Sequence, residues 1–263
     1  MIHLKSPGEI EIMARGGRVI GALFQEVREW LHPGLTTGEL DRRCEDFIRS
    51  FDGAVPAFKG LYGFPGAVCI SVNVEIVHGI PDRSRALQSG DIVSVDVGVR
   101  LDGWCSDSAW TFAVGEVDSE SEGLLAVTLE SLQEAVQAAQ VGGHVGDIGA
   151  AVMRTVGDKG LGIVRELVGH GIGREVHEEP QVPNTGRQGY GPLLREGMVL
   201  AIEPMLSLGS DRIRTLEDGW TVVTSDGSRS AHFEHTVALT AAGPRILTGA
   251  PSEAETDISQ VAG

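Results

Sequence analysis

The stretch GDIVSVDVGVRLDGWCSDSAWTF, residues 90 to 112, reads as two strands joined at Asp102-Gly103. That pair is a strong two-residue hairpin signal, because both residue types tolerate the positive φ angles a tight turn needs. Counting outward from the turn sets Asp107 opposite Gly98, so Asp107 shares a sheet face with Asp96 as its diagonal neighbour. Diagonal residues lie roughly 7 to 8 Å apart, and two carboxylate side chains can close that distance around one or two cations.

The first strand has an echo. SGDIVSVD (89–96) lines up with EGMVLAIE (196–203), and GLTTGEL (34–40) lines up with GGHVGDI (142–148). From Gly38 to Asp96 is 58 residues and from Gly146 to Glu203 is 57, which argues for duplication of a helix-helix-strands unit.

Each half supports that plan. Ser6-Pro7-Gly8-Glu9 is a capping box with proline at the first helical position, followed by Met13, Ile20, Phe24, Val27 and Leu31 at helical spacing. Thr36 and Glu39 suggest a second capping box ahead of a shorter helix with Leu40, Cys44, Phe47 and Ile48 on one side. In the second half Leu125, Thr128, Leu132 and Val136 pattern a long helix, and Ile148, Val152 and Val156 a short one after the Gly142–Gly146 break. The expected architecture is α+β, with antiparallel sheet inside and helices outside. One catalytic domain, residues 1–248, would contain halves of about 1–115 and 116–248 with the site in the cleft between them. The tail, 249–263, has the composition of a disordered segment.

Asp96 between Val95 and Val97, and Glu203 in MVLAIEPML, fall where strands should face a core. Unpaired charge there is costly, so each acid must meet an arginine, tip outward at a strand end, or hold a cation. Duplication of the acid favours the cation. Asp, Glu and His together supply the hard oxygen and borderline nitrogen donors that suit Mn, Fe, Co or Zn, and Glu234 in SAHFEHT is a further candidate. A pair of bridged ions would activate water and polarise a carbonyl, which is hydrolytic chemistry. GHGIGREVHEEP (169–180) adds two histidines, His170 within a run of alternate glycines and His177 beyond it. Glycine at 169, 171 and 173 would let the backbone approach the sheet and aim His170 at the acids.

Composition narrows the rest. A net charge of −16 works against tight binding to phosphate backbones, so no specific nucleic-acid partner is expected. No run approaches the ~18 apolar residues of a membrane span, and MIHLKSPGEI lacks the apolar region of a secretory signal, which points to a cytoplasmic protein with no membrane partner. Three cysteines without a CxxC pair point to reduced, mostly buried thiols.

VHGIP, SVDVGV, GHGIGREVHEEP, GMVLAIEPM, EDGWTVVT and SAHFEHT, in this order, resemble the type I methionine aminopeptidases of the pita-bread fold over residues 1 to about 248. The resemblance implies two divalent metal ions. Asp96 would be a ligand of one, His170 and Glu203 of the other, and Asp107 and Glu234 would bridge them. Glu203 would also act as general base. His78 and His177 would contact the substrate's peptide group, and Phe58, Leu61, Phe64, Cys69, Val176 and Trp220 would line a pocket for a methionine side chain. Asn73 is followed by Val74 where the family carries Glu, and Leu61 and Val176 stand where aromatic residues are common, so the pocket's shape is the departure.

The implied reaction is removal of the N-terminal methionine from nascent polypeptides when the second residue is small, by attack of a metal-bridging water or hydroxide on the first peptide bond. A minimal, bacterial-type monomer in transient association with the ribosome would fit that task. The alternatives are an Xaa-Pro aminopeptidase or prolidase of the same fold, and a relative that kept the fold as a binding protein.

Overall fold

The computed structural model describes residues 1–249; the tail beyond Gly249 lies outside the described residues. Four helices lie outside a set of antiparallel sheets: α1 (Pro7–Trp30), α2 (Thr37–Arg49), α3 (Ser119–Ala138) and α4 (Val145–Val156). Each half therefore contributes a long helix and then a short one, as the repeat predicts.

Helix α1 starts where its sequence says. Ser6 accepts from the Glu9 amide and Glu9 reaches back to the Ser6 amide, closing the capping box. At the start of α2 only half of the expected box forms. Thr36 accepts from the Glu39 amide at 3.2 Å, but the Glu39 carboxylate turns away to Arg42 and Arg43. Two guanidinium groups within one helical turn outcompete a single backbone amide for that charge. In α3 Thr128, Leu132 and Val136 are buried as the periodicity predicts, but the stripe begins at the buried Leu124, with Leu125 partly exposed.

The hairpin that decides the fold is present in the expected register. Strands Ile92–Leu101 and Trp104–Ala113 pair from Ile92↔Ala113 to Leu101↔Trp104, with Gly98 opposite Asp107. Asp102 (φ 50°) and Gly103 (φ 77°) form the turn. Strand Ile92–Leu101 also pairs with Cys69–Val72 and Ala54–Pro56. In the second half Val199–Ile202 pairs with His235–Thr240 on one side and with Val168–Gly171 on the other. The echoing segments thus both sit at the centre of their sheets.

Hydrogen bonding divides the expected central sheet into separate sheets, which cross-links then join. The Thr236 hydroxyl accepts from the Asp107 amide at 2.9 Å and donates to the Asp107 carbonyl at 2.7 Å. The Glu234 amide donates to the Ala109 carbonyl at 2.9 Å. These bonds lock the two hairpins edge to edge and bring their acids face to face.

Burial follows the duplication. One apolar cluster joins α1 and α2 to the first sheet, a second joins α3 and α4 to the other, and a third spans both halves with Phe58, Phe64, Cys69, Ile172, Val176 and Val199. The spanning cluster forms one wall of the cleft. Cys44, Cys69 and Cys105 are free and buried, as their spacing implied. None of the described helices is long and apolar enough to cross a membrane.

Candidate metal centre and cavity

A cavity of about 270 Å³ opens between the halves. Asp96, Asp107, His170, Glu203 and Glu234 line it on one side, and Phe58, Leu61, Phe64, Cys69 and Trp220 on another, with His78 and His177 between. Residues drawn from across the chain meet there because the two hairpins are joined at their edges.

Asp107 and Glu234 are buried, while Asp96 and Glu203 keep a partly open side. Among the described residues no lysine or arginine forms an ion pair with any of these four carboxylates. Their nearest basic side chains are imidazoles: His170 Nε2 stands 3.6 Å from Glu203 Oε1, and His232 Nε2 stands 3.6 Å from Glu203 Oε2 and 3.9 Å from Glu234 Oε2. Asp96 Oδ1, Asp107 Oδ1 and Glu234 Oε1 are buried without any hydrogen-bond partner. Orphaned carboxylate oxygens are far too costly to leave uncompensated, and a divalent cation is the compensation that fits them. Asp107, His170 and Glu234 each offer a donor atom within 4.8 Å of the others. The set fits a metal, and its mixture of hard oxygens with imidazole suits Mn, Fe, Co or Zn.

Without a bound cation, burial and mutual repulsion set the protonation of the cluster. Burial raises Asp96 to about 7, and burial with the charges of neighbouring acids drives Asp107, Glu203 and Glu234 well above the usual carboxylate range. The metal-free protein therefore carries carboxyl protons near neutral pH, and a cation must displace them. Because these folded-state pKa values are raised, proton release should be large at pH 6.5 and shrink as pH rises past them, while metal affinity climbs. Calorimetric metal titration at pH 6.5, in two buffers of different ionisation enthalpy, is expected to show net proton release. Equal apparent enthalpies in both buffers would contradict it.

The glycine-rich segment explains how His170 reaches the acids. Strand Val168–Gly171 runs between Val199–Ile202 and Glu178–Pro183, all antiparallel. A methyl group on Gly169 would lie 2.3 Å from the Ala201 carbonyl oxygen, and one on Gly171 would lie 2.1 Å from that of Glu179. Only bare backbone fits this groove. Gly173 makes room for a different contact, since its added carbon would strike Lys5 and Glu178, whose buried ion pair closes at 2.7 Å. Glu178 also accepts from the Arg174 amide at 2.8 Å, which pins the loop leading to His177. Gly171→Ala should consequently destabilise the fold by about 3 kcal/mol or more, because the obstacle is backbone on a neighbouring strand. A urea-denaturation midpoint equal to wild type would contradict that close approach.

His170 Nδ1 lies 3.0 Å from the Gly171 carbonyl oxygen, to which it donates in the neutral ring, leaving Nε2 free to face the acids. Burial pushes its pKa down to about 4, so the ring is an uncharged donor at neutral pH. His177 is exposed at the rim, its ring 4.5 Å from that of His170 and stacked on Tyr62 at 5.9 Å. His78 holds the left-handed φ of 59° and packs edge-on to Trp220. A non-glycine residue in that region is strained, and such strain concentrates at functional sites.

One expected wall residue is displaced. Val176 is buried in the spanning cluster with Phe58, Phe64 and Cys69 and is not among the residues that line the cavity. Gly98 contributes by absence: a methyl group there would meet the Phe58 ring at 2.5 Å, so glycine lets that ring occupy the wall. Tyr62, Val77, Leu167, Val168 and His232 line the cavity without having been expected. For His232 a signal existed, since it precedes Glu234 by two residues, the spacing that puts extended-chain side chains on one face.

Fold and site together define a metal-dependent hydrolase, its candidate metal donors sharing one cavity with apolar side chains. The chain belongs to metallopeptidase family M24, whose model matches residues 11–241. It is 52% identical over 248 residues to a methionine aminopeptidase of Clostridium perfringens, covering 94% of this chain and 99% of that one. Among solved structures, a methionine aminopeptidase from Thermotoga maritima superposes with a TM-score of 0.92 at 45% identity, covering 95% of this chain and all of that one. The prolidase from Pyrococcus horikoshii shares the fold, with a TM-score of 0.77 at 24% identity and 64% of its chain covered.

Proposed function

We propose that this chain removes the N-terminal methionine from nascent polypeptides whose second residue is small. The observation that carries the reading is the cavity itself, where the five donors and an apolar wall meet across the two halves. Near-full-length identity of 52% to a methionine aminopeptidase, against 24% to a prolidase, favours this substrate over an Xaa-Pro peptide.

In this reading Asp96, Asp107, His170, Glu203 and Glu234 would hold two divalent ions. When bound, such ions supply Lewis acidity, lowering the pKa of water and polarising the scissile carbonyl. The chain's own groups do the rest. Phe58, Leu61, Phe64, Cys69 and Trp220 receive the methionine side chain, whose flexible thioether suits apolar, polarisable walls. His177, on its pinned loop, donates to the carbonyl oxygen as negative charge develops, and His78 contacts the peptide nitrogen. Glu203 takes the proton of the attacking water and delivers it to the leaving amine.

Residues 1–248 would form one catalytic domain acting as a monomer in the cytoplasm, in transient association with the ribosome. The discriminating experiment compares metal-reconstituted protein on Met-Ala, Met-Lys and Xaa-Pro peptides. Met-Ala is expected to be cleaved fastest. Equal rates on Met-Ala and Met-Lys would contradict the second-residue preference, and preference for the Xaa-Pro peptide would replace the reading with the prolidase one.

A further inference from the structure

His232 is 1% exposed, both of its ring nitrogens lack a hydrogen-bond partner among the described residues, and it lines the cavity with the acids. Its backbone is fixed on strand Ser230–His232, which pairs with Met205–Ser207, and its amide donates to the Thr111 hydroxyl at 2.9 Å. The ring's direction is therefore set by the sheet. The two oxygens of Glu203 are treated alike, with His170 Nε2 3.6 Å from one and His232 Nε2 3.6 Å from the other.

These separations discriminate between two roles. An imidazolium paired with a carboxylate closes to hydrogen-bond distance, near 2.7 to 3.2 Å, and His232 does so with neither Glu203 nor Glu234. Two donor atoms each about 2.1 Å from a shared cation lie roughly 3 to 4 Å apart, the range in which His232 Nε2 stands from both glutamates. We propose that His232 is a second imidazole donor of the metal centre, its Nε2 placed between Glu203 and Glu234. The proposal rests on the metal-centre reading above. It adds a ligand beyond the five implied by the family resemblance and gives the centre a nitrogen on both sides of Glu203.

The test uses Co(II) as the probe, with proton NMR of the full-length protein after calorimetry has confirmed binding. Wild type is expected to show two exchangeable imidazole N–H resonances shifted far downfield by the paramagnetic ion. His232→Gln should lose one of them and bind Co(II) roughly ten- to hundred-fold more weakly. His170→Gln should lose the other. A single such resonance in wild type, absent from His170→Gln, overturns the proposal while leaving the metal centre intact, and that count does not depend on how well His232→Gln folds. Failure of wild type to bind Co(II) overturns both readings.

Discussion

Glu203→Gln is expected to lower kcat by roughly 10²- to 10⁴-fold with KM little changed, the scale of a lost general base. Glutamine keeps the shape of the side chain and one donor oxygen but cannot accept a proton. Glu203 stands where both demands fall on one residue: it ends the strand Val199–Ile202, keeps a partly open side toward the cavity, and lies within 3.6 Å of two imidazoles. Burial and the charges of Asp96 and Asp107 raise its proton affinity. Steady-state kinetics at saturating metal decides the point. A variant whose KM rises while kcat holds would show that Glu203 binds substrate and is not the base.

The second large effect separates the two histidines of the glycine-rich segment. His170→Ala is expected to weaken metal binding as well as rate, because its Nε2 faces the acids from a strand that only glycines allow so close. His177→Ala should keep the metal and lose roughly 10²-fold or more in kcat, as for one hydrogen-bond donor to developing negative charge. Its ring reaches the cavity from the rim and packs on Tyr62 and His170. Calorimetric metal titration of both variants beside kcat at saturating metal is the measurement. Loss of metal by His177→Ala, or wild-type kcat in that variant, would end the division of labour.

What could be read from the sequence was whatever is set by local geometry and by period. The Asp102-Gly103 turn fixes the hairpin register, because a strand has a period of two and one residue of slip would turn every side chain over. From that register followed the shared face of Asp96 and Asp107, and from the echoing words the matching place of Glu203, just past the strand Val199–Ile202. The glycines at 169 and 171 signalled a close approach, since no other residue tolerates backbone at 2.1 to 2.3 Å from its first side-chain atom.

Tertiary structure decided what depends on neighbours distant in sequence. Val176 has the right character for a pocket wall, but it is buried in the cluster with Phe58, Phe64 and Cys69 and does not line the cavity. His232 looked like an ordinary strand residue until the sheet edges met and set its unpartnered ring between two glutamates. Turn chemistry and periodicity act over a few residues and are written in consecutive letters. Which side chain wins a wall or a place among acids is settled only when segments more than a hundred residues apart pack together, by competition that no local pattern encodes.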